Sequence, residues 1–319
     1  MSTKQITKIA VIAITSALIT SFIFLTTFAN KRSQPESIPT TNIVTDIHPV
    51  PVVKSMPIPS VVLFANDTLP LDRNYVVESL DRELLVNSYW QSSTLILLKK
   101  SKRYFSIIEP ILKKNHIPDD FKYLAVAESG LSEVAVSPSG AKGLWQIMSG
   151  TAKDYGLTVN TSVDERYHIE KSTEAACKYL QHAYDKFKNW SLVAASYNAG
   201  KRGITKQMDL QGAKTYYDML LNPETARYVY RIIAFKLIFE NPSKYNFILN
   251  REDYYPPFQT YQVTLNHSIK NFSTFAKDRG ISYKELKYYN PWLRKPYLKN
   301  SKHRSYTILL PKKAKQKSL

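Results

Sequence analysis

The sequence predicts a mainly α chain that ends in a small α+β module. Three observations carry this. Between Leu71 and Asn250 apolar residues recur at helical spacing, with Pro, Gly and Asn as punctuation. From Tyr261 to Pro311 the two ends alternate apolar and polar residues, as strands do, around two helical stripes. Before both lies a stretch from Lys31 to Pro70 with seven of the 17 prolines and no glycine, which reads as tether rather than packed structure. At 319 residues the chain is long enough for one full-sized domain and a small second one.

The elements follow in chain order. Residues 1–30 hold an uncharged, mostly apolar run from Ile9 to Ala29, preceded by Lys4 and Lys8. Its length suits a transmembrane anchor, since about 20 residues span a bilayer. A cleaved signal peptide is the alternative, with Thr27-Phe28-Ala29 as a weak cleavage site. Either way the rest of the chain is expected to be exported. Residues 31–70 form the Pro-rich linker, which at ~3.1 Å per residue of polyproline-like chain reaches ~120 Å.

In the helical part, residues 71–250, "DRNYVVESLDRELLVNSYW" and "STLILLKKSKRYFSIIEPILKKNH" read as successive helices. "PDDFKYLAVAES" opens on Pro and two acids, a sound helix start, with Gly130 as its C-cap. "EKSTEAACKYLQHAYDKF" places Thr173, Ala176, Cys177, Leu180, Ala183 and Phe187 on one face; "NWSLVAASYNAG" places Trp190, Val193 and Tyr197 on one face and stops at Gly200. "NPETARYVYRIIAFKLIF" has Asn222 as N-cap and Pro223 at the first helical position.

Phe121, Leu124, Ala125 and Glu128 fall at i, i+3, i+4 and i+7, so Glu128 lies on a buried stripe. Burial disfavours a carboxylate and raises its pKa, and a Glu that is protonated near neutral pH inside a cleft is a general acid. The competing reading is an acid turned aside to pair with Lys or Arg. Tyr197 and Asn198, just before a terminating Gly, sit where helix ends project polar groups into clefts. Cys177 is the only cysteine, forms no intramolecular disulfide and reads as a small core residue. The six histidines show no metal-like spacing, so neither a metal nor a cofactor is expected.

Charge narrows the partners. Lys and Arg number 44 against 26 Asp and Glu, a net +18. From Tyr261 to Leu319 there are 14 Lys and Arg and 2 Asp and Glu, which is +12 of that total. A solvated face is one reading and an anionic polymer the other. Nucleic acid is set aside because the chain is expected to be exported.

Taken together, Glu128-Ser129, "SPSGAKGLWQIM", "DER" at 164–166 with "EKSTEAACKYL", "SYNAG" and "PETARYV" resemble, in order and spacing, the lytic transglycosylases of the soluble type, most of all the branch of the membrane-bound murein transglycosylase D. The resemblance runs from about Asp72 to Phe247. It implies a goose-lysozyme-like α-helical catalytic domain, with Glu128 as single acid and base. Glu128 would protonate the oxygen between N-acetylmuramic acid and N-acetylglucosamine, then take the proton of the muramoyl C6 hydroxyl as a 1,6-anhydro ring closes. That dispenses with the attacking water and second carboxylate of most glycosidases. Glu133 is the one other acid near Glu128, and a second catalytic role for it stays open.

The resemblance also carries over Ser137 and Gln146 as polar contacts in the sugar cleft, and Gly143 and Leu144 as its loop wall. Gly140 and Gly143 let backbone approach a flat sugar ring. Tyr197 matches the tyrosine beside the catalytic Glu, with Asn198 in support. Glu224 matches an acid opening the last helix of the set, where capping explains it as well as catalysis does. Trp145 is a sugar-stacking platform or core. The chain departs from the pattern at Val134, Gly150 and Tyr230. A hydrolytic muramidase on the same site, and a non-catalytic wall-binding scaffold, are the alternative functions.

In residues 258–312, Tyr261 and Val263 form a first strand, Ile269, Phe272, Phe275 and Ala276 a helical stripe, Leu286 leads into Asn290-Pro291, and Tyr306, Ile308 and Leu310 form a closing strand. This βααβ pattern resembles a LysM module, with Asn266-His267-Ser268 in place of the usual Gly-Asp-Thr turn. Residues 313–319 are a basic tail. The partners implied are peptidoglycan glycan strands, the cell membrane through residues 1–30, and complexes that remodel the wall. The place implied is the periplasmic side of the cell envelope.

Overall fold

The computed structural model describes residues 53–312. The anchor or signal segment, the first part of the linker and the basic tail lie outside them. None of the described helices is long and apolar enough to cross a membrane.

Helices α1 (Asn74–Tyr89) and α2 (Gln91–Lys114) come first. A short 3₁₀ turn, Asp119–Phe121, then leads into α3 (Lys122–Ser129). Gly130 ends α3 in the left-handed region at φ 60°, where a Cβ is costly. A loop of 19 residues separates α3 from α4 (Ser149–Asp154). Helices α5 (Ile169–Phe187), α6 (Trp190–Ala199), α7 (Lys201–Gln211) and α8 (Pro223–Glu240) complete the bundle. Asn189 and Asn222 cap α6 and α8 by accepting the backbone N–H three residues on, and Pro223 supplies a preset φ at the first position of α8.

Helix α8 is the centre of the bundle, packed against α1, α3 and α6. Its Tyr228, Val229, Ile232, Ile233, Ala234 and Ile238 are buried, which is why it reads as apolar nearly all round. On α5 the predicted stripe Thr173, Ala176, Cys177, Leu180 and Ala183 is buried, with Phe187 at its edge.

From Lys54 to Pro70 the chain is anchored to the fold rather than a free tether, although several of its residues, Pro57, Pro59 and Val61 among them, are exposed. Met56, Val62, Phe64 and Leu69 are buried in the main core, and a tight hairpin joins β1 (Leu63–Phe64) to β2 (Asp67–Thr68). The Asp67 carboxylate accepts from the Ser191 backbone and hydroxyl, and the Ala65 N–H donates to Asp120 at 2.7 Å. Proline content marked the absence of regular structure here, but apolar residues between the prolines still find the core.

The C-terminal module is β3 (Thr260–Leu265), α9 (Phe272–Lys277), α10 (Tyr283–Tyr289) and β4 (Tyr306–Pro311), the βααβ order expected, with the two strands antiparallel and Leu265 opposite Tyr306. On β4 the predicted alternation is exact in its outcome: Tyr306, Ile308 and Leu310 face the module core. On β3 only Leu265 is buried; Val263 packs partly against the module core and Tyr261, one pair in from the ladder's end, is exposed. Asn290, fully buried, closes the helix end by bonding to Leu286 O and to both backbone groups of Leu309.

The boundary between the helical part and the module is a packed one. Val163 pairs with Leu293 in a single antiparallel bridge, and Val163 and Tyr167 from the helical part belong to the module's core. Residues from Lys54 on form one compact unit, in which the module is docked rather than tethered.

Candidate functional site

Helix α3 delivers Glu128 to its C-terminal turn, below the buried Tyr123, Leu124, Ala125 and Val126. From α8, Tyr228 donates its hydroxyl to Glu128 Oε1. Tyr228 is itself buried, and burial next to Glu128 holds its phenol well above the usual value. No Lys or Arg bonds to Glu128 among the described residues, so the pairing alternative for this acid is not the arrangement seen. Burial lifts the Glu128 carboxyl to about 7; the bond from Tyr228 and the nearby Arg231 pull it down, and Glu224 pushes it up.

A network behind α8 explains why Arg231 does not dominate. Glu83, from the buried face of α1, accepts from Arg227 at 2.7 Å and from Arg82 at 2.7 Å, with Arg231 3.5 Å from its other oxygen. Arg231 also pairs with Glu224 at 3.0 Å. Glu224, Arg227, Tyr228 and Arg231 share one face of α8 by spacing. Sequence reading missed both Glu83 and Tyr228. Glu83 was legible by the same rule as Glu128: it sits in line with Val76, Leu80, Leu84 and Asn87 on the buried stripe of α1.

The loop after α3 folds back over it. Ser129 Oγ donates to Leu144 O at 2.8 Å, and Tyr197 OH, from the end of α6, donates to Trp145 O at 2.7 Å. Thus the predicted Tyr197 reaches the loop beside Glu128, and burial near that acid raises its phenol well above the usual value. Gln146, at φ 47°, turns its amide to Gly143 O at 2.7 Å. Asn198 accepts from the Thr225 hydroxyl at 2.8 Å, which fastens the end of α6 to the start of α8. Gln146, Met148, Thr151, Tyr155, Tyr197 and Asn198 line one cleft of about 300 Å³. A larger groove between α2 and α5 is lined by Lys114, Lys171, Lys178, Glu165, Glu170 and Glu174 and contains no residue bonded to Glu128.

Other predicted residues occupy different places. Trp145 has no exposed surface and donates its indole N–H to Thr173 at 2.8 Å, so of its two readings core is the one its position fits. Leu144 is equally enclosed. Gly143 is buried, and a Cβ there would lie 1.9 Å from Arg166 O; the glycine makes room for protein backbone, not for a sugar. Ser137 closes its own turn by accepting from Ala141 N at 3.0 Å. Glu224 is exposed and paired with Arg231. Glu133 accepts the Tyr104 hydroxyl, on the side of the loop that faces the module. Val134 is exposed, Tyr230 is buried beside Tyr216 and Tyr217, and Gly150 has open space around it; none of the three departures touches Glu128.

Comparison with known proteins gives the setting. Residues 105–220 match the family described as Transglycosylase SLT domain, and residues 261–314 match the Soluble lytic transglycosylase C-terminal LysM-like domain. The chain is 27% identical over 235 residues to the membrane-bound lytic murein transglycosylase D of Escherichia coli strain K12, covering 71% of this chain and 50% of that one. It spans about half the length of the curated relatives it matches. Among solved structures it is similar to an inactive mutant of the lytic transglycosylase Slt of Pseudomonas aeruginosa, at 20% identity and a TM-score of 0.37, covering 48% of this chain and 26% of that one. The 70 kDa soluble lytic transglycosylase of Escherichia coli is similar at 22% identity and a TM-score of 0.38, with the same coverage. The transglycosylase match includes Glu128, Gln146, Tyr197 and Asn198 and stops short of Glu224 and Tyr228.

Proposed function

We propose that this chain, which carries an SLT transglycosylase domain followed by a LysM-like domain, is a peptidoglycan lytic transglycosylase that works through Glu128 alone. The observation that carries the reading is the Glu128 carboxyl bonded by the neutral Tyr228 hydroxyl and close to Tyr197, a lining residue of the cleft, in a setting where burial lifts it to about 7. Such a group can do both halves of the reaction. Protonated, it gives its proton to the glycosidic oxygen as the bond from the muramoyl C1 breaks. Ionised, it takes the proton of the C6 hydroxyl as O6 bonds to C1, which returns Glu128 to its starting state without water.

Tyr228 favours the ionised form between those halves, because its hydroxyl donates to the charged carboxylate. Gln146, Tyr197 and Asn198 line the cleft that takes the saccharide, and Met148, Thr151 and Tyr155 extend it. Ser137 and Glu224 stay as outer contacts of a longer strand. The reading includes export to the periplasmic side of the envelope, with residues 1–30 holding the chain at the membrane. It divides the chain into a catalytic part, 71–250, extended by the packed residues 54–70, and a wall-binding module, 258–312. Complexes that remodel the wall are the expected protein partners.

Digestion of purified sacculi by the wild-type chain and Glu128→Gln, with mass analysis of the products, tests this. The expected products end in anhydro-muramic acid, one water lighter than a reducing end, and Glu128→Gln yields none. Reducing ends would make the enzyme a muramidase on the same site. Undiminished cutting by Glu128→Gln would remove Glu128 from the chemistry, and no cutting by either chain leaves the wall-binding scaffold.

A further inference from the structure

The C-terminal module reaches the catalytic loop through one short segment, residues 158–168. On its outer side, Asp164 N donates to Trp292 O at 2.9 Å, Arg294 N donates to Ser162 O at 2.8 Å, and Val163 bridges to Leu293. Side chains reinforce the seam: the His168 ring stacks on Trp292 with centroids 5.6 Å apart, and the Arg294 guanidinium lies 4.3 Å from the Tyr167 ring centroid. Val163 and Tyr167 are buried inside the module's core. A separate seam further along, where Arg103 donates to Pro256 O at 2.9 Å and packs on Phe258, holds the module against α2.

On its inner side the same segment grips the loop after α3. Asp164 holds Arg166 in a two-point pair at 2.9 and 2.7 Å, and both are buried. So oriented, Arg166 donates to Gly140 O at 3.2 Å and to Ile147 O at 3.3 Å, closing the two ends of one turn of that loop. The Arg166 carbonyl rests against the Cα of Gly143, where no side chain fits. The loop fixed in this way supplies Leu144 O to Ser129, the neighbour of Glu128, and Trp145 O to Tyr197. A buried guanidinium that bridges two carbonyls needs its geometry set from outside, and the Trp292–Leu293 edge of the module sets it.

We infer that Arg166 is a positioning residue for the reaction at Glu128 and that the docked module, through the Asp164–Trp292 seam, holds it in place. The module is then part of the catalytic unit, independent of any glycan it binds. Burial is the main cause of the raised Glu128 pKa and the loop packs on its neighbour Ser129, so loosening the loop is expected to return the acid toward the ordinary carboxylate range. The charged and titratable groups facing that acid are Tyr228, Glu224 and Arg231 from α8 and Tyr197 from α6; of these, Tyr197 is the one bonded to the loop.

The inference rests on Glu128 as the acid, and the test separates the two. Trp292→Ala and Arg166→Lys are made in the full chain and assayed on short peptide-free oligomers of alternating N-acetylglucosamine and N-acetylmuramic acid. Folding is checked by circular dichroism and thermal melting. Both variants are expected to lose at least tenfold in kcat with KM changed less than threefold, and the alkaline limb of kcat against pH is expected to move down by a unit or more. Wild-type kcat and an unmoved limb in a folded variant would overturn the inference. Should Trp292→Ala fail to fold, Arg166→Lys decides alone, since it leaves the module core intact and removes the fork that pairs with Asp164 and reaches the two loop carbonyls. An inactive wild-type chain counts instead against the transglycosylase reading.

Discussion

Glu83 and Glu128 stand on the buried faces of two helices that both pack on α8, and α8 treats them in opposite ways. To Glu83 it presents Arg227 and Arg231, so that acid is a buried ion-pair partner. To Glu128 it gives one bonded partner, the hydroxyl of Tyr228, with Glu224 and Arg231 acting in opposite senses from a distance, so burial prevails and the carboxyl rises to about 7. A raised folded-state pKa means that the folded chain binds this proton more tightly than the unfolded chain does. The stabilisation is therefore complete below the unfolded carboxylate pKa of about 4.3 and is lost as pH rises through about 7. Glu128→Gln removes that loss, and in urea denaturation it should be the more stable chain above neutrality, by up to about 3 kcal/mol. The activity limb has the same sign: turnover falls as pH rises through about 7, because the acid must start protonated. Tyr228→Phe removes a donor to the charged form, so it should shift that limb upward. It should also slow turnover by roughly 10- to 100-fold, the worth of a hydrogen bond to a charged group.

At the level of elements, α1 and α8 are joined by a cluster in which one buried acid faces three arginines. Such a cluster stabilises little as a whole, but removing one member strands the others. Glu83→Ala is expected to lower stability by about 3 kcal/mol in denaturant titration. The loop after α3 shows a different logic. Its glycines and serines suggested a surface shaped for a sugar ring, yet Gly143 accommodates Arg166 O, and Ser137 closes a turn. Small residues signal that backbone comes close; they do not say whose backbone. Trp145 has the same ambiguity, since a tryptophan next to a cleft residue can face either way along an irregular loop, where no period assigns a side.

Across the whole molecule, the segments on either side of the helical part are built into it. A chain beginning at Leu71 loses Met56, Val62, Phe64 and Leu69, each worth about 1.5–3 kcal/mol when buried. With about 2–4 °C per kcal/mol for a molecule of this size, its melting temperature should fall by more than about 10 °C.

Local pattern was sufficient for what depends on spacing along the chain. The helix starts at Asn189 and Asn222, the stop at Gly130, the buried stripe of α5 and the alternation of β4 follow from backbone geometry and the period of apolar residues. Glu128 was legible too, as an acid on an apolar face. Its chemical state was not, because that depends on what α8 brings from 100 residues away, and tyrosine and arginine occupy neighbouring positions on the same helical face. The docking of residues 54–70 and of the module was hidden for a related reason. Proline content and a domain-like pattern describe a segment's own conformation, whereas its place against the core is set by non-local contacts that leave no period in the sequence.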